Sequence, residues 1–242
     1  MESFFQLLLN GTALGSIYAL IALGYTMVYG ILRLINFAHG DIVMVGAYAG
    51  LFTAITIGAS DHPSIGNFFI VLIVAMAASA LLGFLIERLA YRPLRNVPRL
   101  NLLITAVGVS LLLENLGQVV FGATPRVFPD IMPSVALFQF GQVAVTNQQV
   151  VVFATSLFLM IVLEWIVLKT KLGRAMRAVS FSHEIASLVG IPTDKIVAFT
   201  FAVGSALAAA AGILVCISYP KVDPLMGVMI GMKAFVAAVL GG

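Results

Sequence analysis

Charge is what this sequence lacks most. Of 242 residues, 10% are Asp, Glu, Lys or Arg and 61% are apolar, whereas a soluble globular domain is about 25% charged and about 45–50% apolar. With a mean hydropathy of +1.10, too few ionisable side chains exist to cover a water-facing surface. That excludes an ordinary soluble enzyme, and it excludes disorder, which needs low hydrophobicity and high charge. Cysteine is almost missing. Cys216 alone rules out an internal disulfide and every multi-cysteine metal site, and within its apolar run it reads as packing. The 3 histidines have no ligand spacing, so no metal is expected. No basic n-region precedes the first apolar stretch, which follows Glu2 and is too long for a signal-peptide core, so it is expected to stay as a span.

What is there comes in long uncharged runs. A hydrocarbon core of about 30 Å takes roughly 20 apolar residues as helix. Residues 3–32, 42–60, 62–86 and 196–220 contain no charge at all. Residues 101–121 are interrupted only by Glu114, 148–168 only by Glu164, and 225–242 by Lys233. These are seven hydrophobic segments of an all-α, polytopic membrane protein, with the lipid bilayer as its solvent.

The net charge is +3 and the pI about 9.2. No nucleic-acid partner is expected, because the basic residues form short clusters between apolar runs. Arg33 follows the first segment, and Arg88, Arg92, Arg95 and Arg99 follow the third. Lys169, Lys171, Arg174, Arg177 and Lys195 follow the fifth. All lie an odd number of spans from the N-terminus, opposite Arg126 and Lys221. The positive-inside bias puts these linkers in the cytoplasm and the N-terminus outside. The chain then reads as a single transmembrane domain over 1–242, with a cytoplasmic loop at 169–195 and an outer loop at 122–147. In the outer loop Pro125, Pro129 and Pro133 prevent helix, and residues 138–140 and 143–146 read as a small hairpin. A loop of this length is a binding surface or a tolerated insertion.

Gly11-x3-Gly15, Gly46-x3-Gly50 and Gly227-x3-Gly231, with Ala208 and Gly212, set small residues on helix faces. In lipid, close backbone approach through such residues holds helices together. Gly15-Ser16 and Gly204-Ser205 each open a span followed by a Gly-rich segment, a faint trace of the kind an inverted repeat leaves.

Two stretches carry chemistry. Residues 33–41 join two apolar helices through Asn36, His39, Gly40 and Asp41. A broken backbone with such polar groups must line protein or water. It is either a discontinuous helix lining a pathway or gate, or an interfacial turn capped by Asn36 or Asp41. Glu114 is a further functional candidate by its position inside a segment, or a neutral acid bonded between helices. An intramembrane enzyme using His39 and Asp41 would need an activated Ser, Cys or metal-bound water, and no Gly-x-Ser-x-Gly occurs.

In the second stretch Ser182 is a good N-cap and Glu184 suits a helix start. Gly190 fits the left-handed C-terminal position, and Ile191 and Pro192 end the helix. Ile185, Leu188 and Val189 share one face at helical spacing. Such a peg needs a groove to receive it, unless the preceding basic residues hold it at lipid headgroups.

The pattern Glu184-x-Ala186-x3-Gly190-Ile191 resembles the coupling-helix motif of ABC importer permeases. Around it, GRAMRAVSFSHEIASLVGI is similar to the same loop in branched-chain amino acid permeases. The opening NGTALGSIYALIALGYTMVYGILRLINFAHGDIVMVGAYAG and the closing GVMIGMKAFVAAVLGG resemble the family's H-type subunit. Members usually continue with a further span, so truncation at the C-terminus is expected. The resemblance implies a second, related permease subunit, two ABC ATPase subunits and an extracytoplasmic substrate-binding protein. The whole would sit in a bacterial or archaeal inner membrane and import leucine, isoleucine or valine. Residues 182–191 would dock on an ATPase, and Asn36, His39, Gly40 and Asp41 would lie near the path. No cofactor is implied for this chain, which lacks the P-loop Gly-x4-Gly-Lys-[Ser/Thr], so ATP would be bound by the partners. Related permeases carry urea, amides or other amino acids. A self-sufficient secondary transporter relaying protons through His39, Asp41 and Glu114 is the rival reading.

Overall fold

Backbone amides in hydrocarbon find no water to bond, so a chain this apolar satisfies them within helices. The computed structural model describes residues 2–33, 35–95, 97–140 and 143–241. Leu34 of the helix break, Asn96 of the basic linker, Gly141 and Gln142 of the outer loop, and Met1 and Gly242 at the ends lie outside the described residues. The expected segments are seven helices: α1 (Glu2–Leu32), α2 (His39–Thr56), α3 (Ile65–Ile86), α4 (Arg99–Phe121), α5 (Asn147–Lys169), α8 (Thr193–Ser218) and α9 (Met226–Gly241). Two short helices, α6 (Lys171–Phe181) and α7 (His183–Leu188), stand between α5 and α8. Five helical stretches, in α1, α3, α4, α5 and α8, are long and apolar enough to cross a membrane, and α9 is shorter. The all-α polytopic architecture stands.

The bundle is built around α8, which is buried along nearly its whole length and packs against α1, α2, α3 and α5. Small residues explain the close fit. Gly46 abuts Ala209, Gly50 meets Ile213, and Gly212 lies on Val43, so α2 and α8 approach backbone to backbone. A Cβ on Gly11 or Gly15 would meet nothing within 4 Å, so these two do not serve this packing.

At one end the outer loop folds as expected without helix. Strand β2 (Ala136–Phe140) pairs antiparallel with β3 (Val143–Thr146), with Phe138 opposite Val145. Thr146 and Gln149 form a capping box that opens α5. The first turns of α1 tie to this hairpin: the Ala144 amide donates to Gln6 Oε1 at 2.9 Å, and Gln149 Nε2 donates to Asn10 Oδ1 at 2.7 Å. A second pair, β1 (Arg126–Val127) with β4 (Lys221–Val222), joins the outer loop to the connection before α9. At the other, basic end α3 runs into a π-turn at Glu87–Tyr91 and a 3-10 turn at Arg92–Leu94, where Pro93 has no N–H to continue a helix.

Candidate functional site

The helix break lies where α1 ends. Arg33 adopts a left-handed backbone, φ 52°, an uncommon state for a side chain with a Cβ. Its guanidinium donates to the carbonyl oxygens of Ser180 and Phe181, each at 3.3 Å, and so caps the C-terminus of α6. The chain then folds back along α1. A Cβ built on Gly24 would stand 2.5 Å from His39 Nε2, so His39 lies level with a residue about 12 Å short of the helix end. Asn36, His39 and Asp41 are 3%, 1% and 2% exposed, as a break inside protein demands.

The capping alternative is not what these residues do. The N-cap of α2 is Ala38, with no side-chain cap. Asn36 Oδ1 instead accepts from the Tyr91 hydroxyl at 2.8 Å. Asp41 accepts from the Ser110 hydroxyl on α4 at 2.5 Å, and Glu114, one turn further along α4, lies within electrostatic reach of Asp41. His39 faces the other way, its ring 4.5 Å from that of Tyr25. The structure thus bonds Asp41 to Ser110 and packs His39 on Tyr25, with no hydrogen bond joining His39 to Asp41 among the described residues. Ser110 was missed in the sequence, although it shares a helical face with Glu114 at i, i+4 spacing.

Gly40 is closely surrounded by backbone. A Cβ there would stand 2.6 Å from the Gly227 carbonyl oxygen and 3.2 Å from the Gly231 Cα. The first turns of α2 and α9 therefore touch through bare backbone, and α9 begins beside the break rather than at the end of the bundle. Two long helices, α1 and α8, are each followed by an interruption and a Gly-rich helix, and the two Gly-rich helices meet at their starts.

The peg is α7. Thr170 caps α6, accepting from the Gly173 amide at 3.0 Å. On α6, Gly173, Met176 and Val179 turn inward while Lys171, Arg174 and Arg177 are exposed. Ser182 caps α7, accepting from the Ile185 amide at 3.3 Å, and Glu184 stands in its first turn. At the other end Gly190 has φ 81°. The Ile191 amide donates to the Ala186 carbonyl and the Gly190 amide to that of Ser187, both at 3.0 Å, a Schellman closure. Ala186 is buried against the bundle, while Ile185, Leu188 and Val189 are 55%, 84% and 69% exposed. The helix is held in place with its apolar face uncovered. Two turns beyond, Asp194 accepts from Arg92 and Arg95, one arginine on each oxygen at 2.5 Å.

Comparison with known proteins agrees on one relationship. The family described as branched-chain amino acid transport system / permease component matches residues 7–242. The LivH high-affinity branched-chain amino acid transport permease of Salmonella typhimurium is 40% identical, covering 99% of this chain and 79% of the relative. BraD of Pseudomonas aeruginosa, named for the same transport, is also 40% identical with the same coverage. A probable LivH of Methanocaldococcus jannaschii is 30% identical over 98% of this chain and 74% of its own length. No solved structure matches the chain.

Proposed function

Because the chain belongs to the branched-chain amino acid transport permease family, we propose that it is one permease subunit of an ATP-driven importer for leucine, isoleucine or valine. Its partners in this reading are a second permease, two ABC ATPases that bind the ATP, and an extracytoplasmic binding protein that selects the solute. The basic end faces the cytoplasm of a bacterium or archaeon, and the N-terminus faces out. The chain itself performs no catalysis.

The observation that carries the proposal is the apolar triad of Ile185, Leu188 and Val189, standing in the open on a helix capped at both ends. A surface of that kind in water marks a partner, and a helix in a groove is the economical way to cover it. Nucleotide-driven closure of the ATPases would move α7, and through it the break at Asn36, His39, Gly40 and Asp41 beside the path. Among the described residues no hydrogen bond links His39 to Asp41 or Glu114, so the relay on which a self-sufficient proton-driven transporter would depend has no direct support. A Met- and Phe-rich bundle with few charges suits a zwitterion with an aliphatic side chain.

Gly190→Val and Glu184→Lys test the docking. A β-branched residue at φ 81° costs about 1–3 kcal/mol and deforms the peg. Both variants should insert normally, lose co-purification of the ATPase and lose uptake. Wild-type association and uptake in both would remove α7 from the coupling.

A further inference from the structure

Among the described residues no hydrogen bond or ion pair joins a side chain of the peg to the break, yet the break and the start of α8, just beyond the peg, grip the same short linker. Glu87 and Tyr91 lie four residues apart on one face of the π-turn, 1% and 0% exposed. Such turns insert an extra residue into a helix and recur at functional sites. On one side, the Tyr91 hydroxyl donates to Asn36 in the middle of the break, and its ring rests 5.1 Å from that of Phe201 on α8. On the other, Arg95 pairs with Glu87 and with Asp194 together, and Arg92 takes the second oxygen of Asp194. Asp194 is five residues past the end of α7's cap at Val189.

We propose that residues 87–95 are the element that transmits movement of α7 to the helix break, with Arg95 and Tyr91 as its positioning residues. The proposal rests on the reading that α7 docks on a motor subunit.

The chemistry of the clamp makes it a transmitter rather than a simple brace. The side chains of Glu87 and Arg95 are 2% and 14% exposed, but that of Asp194 is 46%. If α7 draws Asp194 away, Arg95 cannot stay put and follow at once. Leaving Glu87 without its partner strands a buried charge, which is far costlier than losing an exposed pair. The linker is therefore forced to choose between two arrangements, and a packed element with two discrete arrangements is what coupling needs. A cleft of about 600 Å³ lined by Phe84, Arg88, Arg92, Pro192 and Lys195 lies alongside and leaves room for the move. Arg33, which caps α6 just before the peg, grips the break from its other end. A load on α7 thus reaches the break from both sides.

The test uses the assembled importer in proteoliposomes, measuring uptake per ATP hydrolysed and ATPase co-purification for Tyr91→Phe, Arg95→Gln and Arg95→Lys. Tyr91→Phe and Arg95→Gln should keep the ATPase bound and hydrolysing while uptake per ATP falls by between about twofold and thirtyfold. Arg95→Lys should recover part of the loss, since it keeps the charge but not the fork. Wild-type uptake per ATP in both Tyr91→Phe and Arg95→Gln, with the ATPase bound, overturns the proposal. Hydrogen exchange on the intact chain alone separates this from a failure of docking. Asp194→Asn should raise exchange at residues 35–42 as well as 87–95 and leave the hairpin at 136–146 unchanged. Exchange at 35–42 that does not respond overturns the transmission role whatever the ATPase does.

Discussion

The two interruptions that precede Gly-rich helices are built from opposite materials. The one before α2 is held by buried side chains: Asn36 on Tyr91, His39 on Tyr25 and Asp41 on Ser110. The one before α9 is held by backbone, through the pairing of Lys221 and Val222 with Val127 and Arg126. Its charges, Lys221 and Asp223, pair at 3.6 Å and stay in reach of water. Side-chain bonds to a buried break can be exchanged for others when a neighbour shifts, whereas a strand pair moves only as a unit. The first interruption is also the one wired to α7. The contrast assigns motion to the first and anchorage to the second, and their shared contact at Gly40 and Gly227 is where motion would be passed between them.

The largest effect should come from that contact. Gly40→Val puts carbon where the Gly227 carbonyl stands, and overpacking of this kind costs about 1–3 kcal/mol or more. Uptake should be abolished and the melting temperature should fall, with Gly227→Val behaving alike. If either variant transports normally, the two first turns do not need to touch and the symmetry between the interruptions has no functional weight.

The next effect separates the interruptions. Asp41→Ala removes the acceptor for Ser110, and an interaction with a group of this type is worth about 1.5–3 kcal/mol. Uptake should fall by about tenfold with the ATPase still bound. Asp223→Ala removes an exposed pair worth about 0–1 kcal/mol and the acceptor for the Leu225 amide. It should lower thermal stability slightly and leave uptake within about twofold. Equal losses of uptake in the two variants would erase the distinction between a moving and an anchoring break.

Much of this was legible because charge spacing is a ruler in a membrane protein. Gaps holding at most one Asp, Glu, Lys or Arg located the seven hydrophobic segments, and cap chemistry at Ser182 and Gly190 bounded α7 to the residue. The hairpin at 138–146 was visible from its prolines and alternating residues. Elements hidden in charged linkers were not. Helix α6 has its inward residues at Gly173, Met176 and Val179, a helical spacing masked by the basic cluster that interleaves it. The π-turn at Glu87–Tyr91 looked like plain linker for the same reason. Pairings across the chain, such as Arg95 with Asp194, Tyr91 with Asn36 and β1 with β4, leave no local pattern at all, because nothing in either partner's neighbourhood names the other.

The smallest effect concerns pH and sharpens the same contrast, since a histidine stands near Arg33 at the first interruption. His183 opens α7, and burial, together with the Arg95 and Arg33 guanidiniums, holds its imidazole below the usual range. Glu184 beside it is exposed. A histidine whose folded pKa is depressed is neutral in the closed junction, so its contribution is present above about pH 6.5. That contribution is lost as pH falls below the ordinary imidazole value, because an open junction takes up the proton more readily. Hydrogen exchange over residues 183–191 should therefore speed up as the pH is lowered from 7.5 to 5.5. His183→Asn should exchange at a rate without this step, once intrinsic chemistry is corrected. The described strands of the hairpin at 136–146, which contain no histidine, should show no such step in either chain. A step that survives in His183→Asn would place the titrating group elsewhere and free the peg from any dependence on acid.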